Sequence, residues 1–276
     1  MSILSTTQFG LATAIAVTVL GAASTAQAQT FSYSGSLPGS QTVLISDDGG
    51  QNYGFAQAGR YHGTLANAPI NIFCVDIGHQ INKGDTYQAN TQYHITDAKG
   101  SLTGSYYAGG LASAITSNDL GSVTVTAVQA SQRASEVAWL ADNYLNATAF
   151  TGSGDTDLTN NFTAINLSIW DIVRDGGDGL TNGSVRSISF GSQSSLVGYY
   201  EALAASQTAY QSSTAMWIQA PVSESGYHLQ DYVYEKSGGA PRPPAVPEPG
   251  VPTMLLCLGL VAGAVVLRRK RQVQAG

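Results

Sequence analysis

The sequence predicts an α+β fold, a β-sandwich or barrel with an inserted three-helix subdomain, and three observations carry that prediction. Short runs of β-branched and aromatic residues bounded by Gly, Asp and Asn occupy both ends of the central region. Apolar residues at spacings of three and four occupy its middle. Uncharged apolar segments flank the whole near the two termini.

In chain order, Gln41-Thr-Val-Leu-Ile-Ser46, Ile70-Asn-Ile-Phe-Cys-Val-Asp-Ile77 and Tyr87 to Ile95 have the composition of strands. From Gln129 to Asn146 the period changes, with Ala134, Val137, Ala138, Ala141, Tyr144 and Leu145 on one helical face. A second helix is predicted from Leu158 to Arg174, with the stripe Phe162, Ile165, Ile169, Ile172 and Val173 and a stop at Gly176-Gly177. A third runs from Ser194 to Tyr210 through Leu196, Tyr199, Tyr200 and Leu203. Ala215-Met-Trp-Ile-Gln219 and Tyr227 to Tyr234 return to the strand pattern, punctuated by Pro221 and Gly226. Trp139 and Trp170 fall on helices, where core packing is their expected role.

Composition narrows the function. Of 276 residues only 11% are charged, against about 25% in ordinary soluble domains. With 14 Tyr and 43% hydrophobic residues, the chain is no disordered polyelectrolyte. Its net charge of −6 would repel a phosphate backbone, so nucleic acid is excluded as a partner. Four of the twelve basic residues cluster at the C-terminus, which leaves the remainder more acidic still.

The two ends read as an address. Residues 11 to 23 form a short apolar core followed by Ala26-Gln27-Ala28, so residues 1–28 are expected to be a signal peptide. An exported domain of residues 29–236 follows, then a Gly/Pro linker over 237–246 that can form neither a helix nor a central strand. Residues 247–276 begin with Pro247, Glu248 and Pro249. The apolar stretch 251–267 comes next, at the short end of a membrane span of about 17 to 25 residues. Arg268, Arg269, Lys270 and Arg271 would hold its end on the cytoplasmic side. Triplet, apolar segment and basic cluster in this order resemble the PEP-CTERM sorting signal of Gram-negative bacteria. That resemblance implies an exosortase as partner, transient residence in the inner membrane, and delivery to the cell surface or extracellular matrix.

Chemistry centres on Cys74. Cys257 belongs to the C-terminal apolar segment, so the exported domain holds a single sulfur and no internal disulfide. Cys74 is then a small buried hydrophobe, an intermolecular disulfide partner, or a reactive thiol. Asn166 also stands out, because it projects from the apolar face of the second helix. There an amide must find partners or cost about 1 to 3 kcal/mol. It is either a hydrogen-bonded core Asn tying that helix to a strand, or one end of a crosslink.

Phe73-Cys74-Val75-Asp76, the helix around Ala138-Trp139-Leu140-Ala141, and Ala164-Ile165-Asn166-Leu167-Ser168-Ile169-Trp170 together resemble the thioester domain of bacterial surface adhesins. The resemblance implies that a Cys thiolate attacks a side-chain carboxamide, expels ammonia and stores an acyl donor that an amine or hydroxyl on a target can open. Asn166 stands where that family has Gln, and Ser168 where it has Ala, so Cys74 and Asn166 are the crosslink candidates. Gln129, on the first helix, is the substitute carboxamide if the fold brings it to Cys74.

Two acidic segments, Asp155 with Asp157 and Asn160, and Asp171 with Asp175 and Asp178, offer oxygen ligands for Ca²⁺. Neither has EF-hand spacing; solvated turns, with Asp157 as a helix cap, are the alternative. No metal or cofactor is expected. His62, His79, His94 and His228 lack metal-site spacing, and His79 is the one candidate base. No nucleophile-elbow, metalloprotease, Walker or dinucleotide motif occurs, so no enzymatic activity is expected. The expected function is an exported surface or matrix protein in adhesion or biofilm, attached through Cys74 to a polysaccharide or amine-bearing polymer. Two alternatives stay open: a non-covalent carbohydrate-binding or structural β-domain with an inert Cys74, and a hydrolase using His79 with a nearby Asp.

Overall fold

Strand β1 (Ala28–Ser46) organises the sheet because it is long enough to serve three neighbours. It pairs along its length with β2 (Gly54–Leu65), near its start with β4 (Thr86–Asn90), and at its end with β7 (Arg186–Ser187), always antiparallel. Its register slips between Tyr33 and Gly35 and again between Ser36 and Ser40, and irregularities of this kind bend a strand. The computed structural model describes residues 28–91, 94–96, 102–103, 106–107, 111–117, 125–189, 194–221 and 229–236. The predicted leader before Ala28, the linker and the sorting segment with its apolar stretch lie outside the described residues.

A two-residue turn at Ala66 and Asn67, both at positive φ (48° and 67°), joins β2 to β3 (Ala68–Cys74) as a tight hairpin. Strand β3 then pairs with β9 (Tyr232–Glu235), which pairs with β8 (Ala215–Ile218). The order β4-β1-β2-β3-β9-β8 makes one antiparallel sheet that curls until its ends meet. Asn90 and Gln219 exchange two backbone hydrogen bonds (3.0 and 2.9 Å) across that seam. Two short strands, β5 (Leu102–Thr103) and β6 (Tyr106–Tyr107), form a separate ribbon.

Four helices follow: α1 (Leu111–Ser117), α2 (Ala127–Tyr144), α3 (Leu158–Asp175) and, after β7, α4 (Ser194–Ala204). Helix α2 starts at a capping box between Thr126 and Gln129. Helix α3 starts at Asp157, whose carboxylate accepts the Asn160 N–H, and stops at Gly176 in the left-handed conformation. Every residue of its predicted stripe is buried.

The α+β class therefore holds, with a curled antiparallel sheet and three longer helices. The helices are not a separate subdomain, however. Helix α3 packs directly on β1 and β2 with α2 and α4 on its other sides, and sheet and helices share a single hydrophobic core. No helix among the described residues is long and apolar enough to cross a membrane.

Several elements differ from the sequence reading. Strand β4 ends at Asn90, and His94 lies beyond it in an isolated bridge to Met216. Helix α4 ends at Ala204, where turns at Gln207 and Tyr210 take over. Strand β2 is not apparent from the sequence because Gly59 and Gly63 interrupt its alternation, and both permit close approaches. A side chain at Gly63 would meet the Phe31 ring at 2.7 Å.

Candidate functional site

Cys74 ends β3, and the chain leaves the sheet there in a tight turn. The Cys74 thiol donates to the Asp76 carbonyl at 3.0 Å, and the Asp76 N–H points back at the sulfur at 3.3 Å. The side chain is wholly buried, among Tyr33, Tyr61, Tyr87 and Tyr232, whose rings pack on one another and on Phe31. Burial pushes the Cys74 thiol well above its ordinary pKa, and the Asp76 charge adds to this. The Asp76 N–H and the Trp170 indole oppose that shift in part. The same burial raises the phenols, Tyr33 to about 12 and Tyr61, Tyr87 and Tyr232 well above 10, so all four stay protonated.

The two crosslink candidates come together, but not through the groups a crosslink needs. Asn166 donates to the backbone carbonyl of Cys74 at 2.8 Å and accepts the Gly59 N–H at 3.0 Å. Its amide thus ties α3 to β3 and β2, the first of the two readings left open for it. Asn166→Ala would strand two buried backbone groups and should lower stability by about 3 kcal/mol in a urea titration. An unchanged midpoint would remove this anchoring role. Gln129 is spent in the α2 capping box on an exposed turn and does not reach the sulfur.

A different carboxamide lies against the sulfur. Gln230, just before β9, places Nε2 at 2.7 Å from Cys74 Sγ and 3.1 Å from the Asp76 carbonyl. Its Oε1 accepts the Tyr232 hydroxyl at 2.9 Å. The arrangement follows from the pairing of β9 with β3, in which Cys74 stands opposite Tyr232. Gln230 escaped the sequence reading. The available signal was its position at the head of the last strand run, Leu229-Gln-Asp-Tyr-Val-Tyr234.

Above this pair opens a cavity of about 530 Å³ lined by Tyr33, Tyr53, Phe55, Tyr61, Trp170, His79 and Gln230, among others. His79 Nδ1 pairs with the buried Asp76 carboxylate, so the turn after Cys74 supplies both a main-chain acceptor and an oriented imidazole. His62 lies against the Ile70 carbonyl on the hairpin, and His228 falls outside the described residues.

Of the acidic segments, Asp155 and Asp157 do not converge on a common point. Asp155 accepts from the Asp157 N–H and the Asn160 amide, which holds its carboxyl below the usual range, and Asp157 caps α3. Asp175 and Asp178 do converge, together with Asp171.

Neither a curated protein nor a solved structure matches the chain, so comparison lends the thioester-domain resemblance no support. A family model described as the PEP-CTERM protein-sorting motif matches residues 245–271. The match covers the proline triplet, apolar stretch and basic cluster, and it indicates an extracellular protein recognised and sorted by an exosortase.

Proposed function

We propose that the exported domain carries an internal thioester between Cys74 and Gln230, and uses it to bond covalently to a polymer at the cell surface or in the matrix, in adhesion or biofilm. The observation that supports this is the 2.7 Å approach of the Gln230 amide to the Cys74 sulfur. The contact is made through Nε2, the leaving group, so the carbonyl carbon to be attacked lies one bond beyond an atom already against the sulfur, and holding the two groups this close supplies part of what proximity can give. Tyr232 adds polarisation, since its hydroxyl sits on the carbonyl oxygen where negative charge develops during attack.

Formation balances within the pair. Sulfur bonds to the Gln230 side-chain carbonyl carbon, the carbon–nitrogen bond breaks, and the thiol proton leaves on nitrogen as ammonia. Opening regenerates the thiol: a target amine or hydroxyl attacks the same carbon, the carbon–sulfur bond breaks, and an amide or ester joins Gln230 to the target. The nucleophile arrives through the cavity, where the His79–Asp76 pair can take its proton. Burial of Cys74 keeps water from the acyl bond until then.

The intact mass of the exported domain, residues 29–236, tests the reading. The expected result is a mass one ammonia below that calculated, restored with one amine added by methylamine, and no titratable thiol before treatment. The second reading, a non-covalent carbohydrate-binding domain with an inert Cys74, draws on the raised thiol pKa and on the aromatic and amide groups of the cavity. It requires the full calculated mass, a thiol that titrates on unfolding, and saccharide binding unaffected by methylamine.

A further inference from the structure

A second cluster lies on the loop that leaves α3. Asp171, Asp175 and Asp178 each bring one carboxylate oxygen within 4.8 Å of the others. Their surroundings are unequal: Asp171 is buried, Asp175 half-buried and Asp178 exposed. Asp171 Oδ2 accepts the Gly179 N–H at 2.9 Å, but Asp171 Oδ1 is buried with no hydrogen-bond partner. Glu201 of α4, also more than nine-tenths buried, faces Asp171 and has an unpartnered Oε1.

The loop is built around these groups. Asp175 Oδ2 receives the N–H groups of Ser184 and Val185 at 2.8 and 2.7 Å. Gly183 presses so close that an added Cβ would meet Asp175 at 2.7 Å and Asp178 at 2.9 Å. Arg133 and Arg186 lie nearby, yet they bond backbone carbonyls of Val173, Arg174 and Gly183 and form no ion pair with the carboxylates. Both guanidinium groups therefore offset the acidic charge only from a distance, and two buried oxygens, Asp171 Oδ1 and Glu201 Oε1, have no donor beyond what the two carboxyls can offer each other.

We infer that Asp171, Asp175 and Asp178, with Glu201 behind them, form a calcium site. Ca²⁺ prefers carboxylate oxygens at 2.3–2.6 Å, so ligands on opposite sides of the ion stand up to about 5 Å apart, and the 4.8 Å limit of this cluster fits one coordination sphere. Mg²⁺ needs a tighter octahedron. The exposed Asp178 edge leaves room for waters to complete the shell. Sites of this type in extracellular modules bind in the range of about 10⁻⁴–10⁻³ M, which suits a protein sorted to the outside. The ion would lock the end of α3 to the loop and to α4, independently of any chemistry at Cys74.

The competing occupant is a proton shared between Asp171 and Glu201, since burial pushes both carboxyls up. Calorimetric titration of the chelator-treated exported protein with CaCl₂, with thermal unfolding read in parallel, separates the two. One ion should bind with Kd on the order of 10⁻⁴–10⁻³ M and raise Tm, with Mg²⁺ clearly weaker. Asp178→Asn, at an exposed position that leaves the fold intact, should weaken Ca²⁺ binding at least about tenfold and leave Tm in chelator unchanged or higher. No binding heat and no Tm rise at millimolar Ca²⁺, or an equal rise in the Asp178→Asn variant, overturns the site in favour of the shared proton.

Discussion

Gln230→Ala should give an exported domain of full calculated mass for its sequence, with a free Cys74 thiol and no methylamine uptake. Cys74→Ala should abolish uptake equally. The effect is all or none because each residue supplies one end of the same bond. Gln230 is half-buried at the rim of the cavity, so its truncation leaves the core packing in place. Asn166→Ala has the opposite profile: lower stability, with the mass deficit kept in the folded fraction, because its amide holds backbone and not sulfur. A Gln230→Ala protein that still lacked one ammonia would end the assignment, and the same deficit lost in Asn166→Ala would return it to Asn166.

Gly59→Ala should be among the most damaging single substitutions in the chain, costing more than about 4 kcal/mol or preventing folding. Gly59 holds φ at +140°, which side-chain-bearing residues rarely adopt. An added Cβ would run into the Gly39 carbonyl oxygen, the Ser40 Cα at 2.5 Å and the Ser40 Cβ at 2.8 Å. Two of these contacts are backbone of β1, so relief requires β1 and β2 to part where the β1 register slips. The same movement would pull the Gly59 N–H from Asn166. Gly54→Ala in the same strand, with nothing within 4 Å of its Cβ, is the control and should stay within about 0.5 kcal/mol. Denaturant midpoints of the two variants give the comparison, and equal midpoints would refute the steric argument.

Helix α3 was legible from sequence because everything that defines it is local. Its apolar period, Asp157 cap and Gly176 stop lie within one stretch of chain. The uniqueness of Cys74 was also legible, being a matter of counting. Gln230 was not, since its approach to the sulfur spans 156 residues and depends on β9 pairing with β3. No local period encodes which strands become neighbours. Asn166 misled for a related reason: its helical face correctly pointed toward Cys74, but periodicity resolves a face, not whether an amide meets sulfur or carbonyl. The acidic loops divided similarly, because Asp155 and Asp157 serve their own helix start, whereas Asp171 and Asp178 meet only through the glycine turns after α3.

The position of Gln230 at the head of β9 has a mechanical consequence. A target bonded there, with the cell at the C-terminal end, would load only the segment from Gln230 through β9 to Lys236 and the linker beyond. Tension would peel one short strand from β3 and β8 and bypass the closed sheet and its helices. Attachment strength would then be set by covalent bonds in series with the linker, and the domain could hold its load even if much of it unfolded.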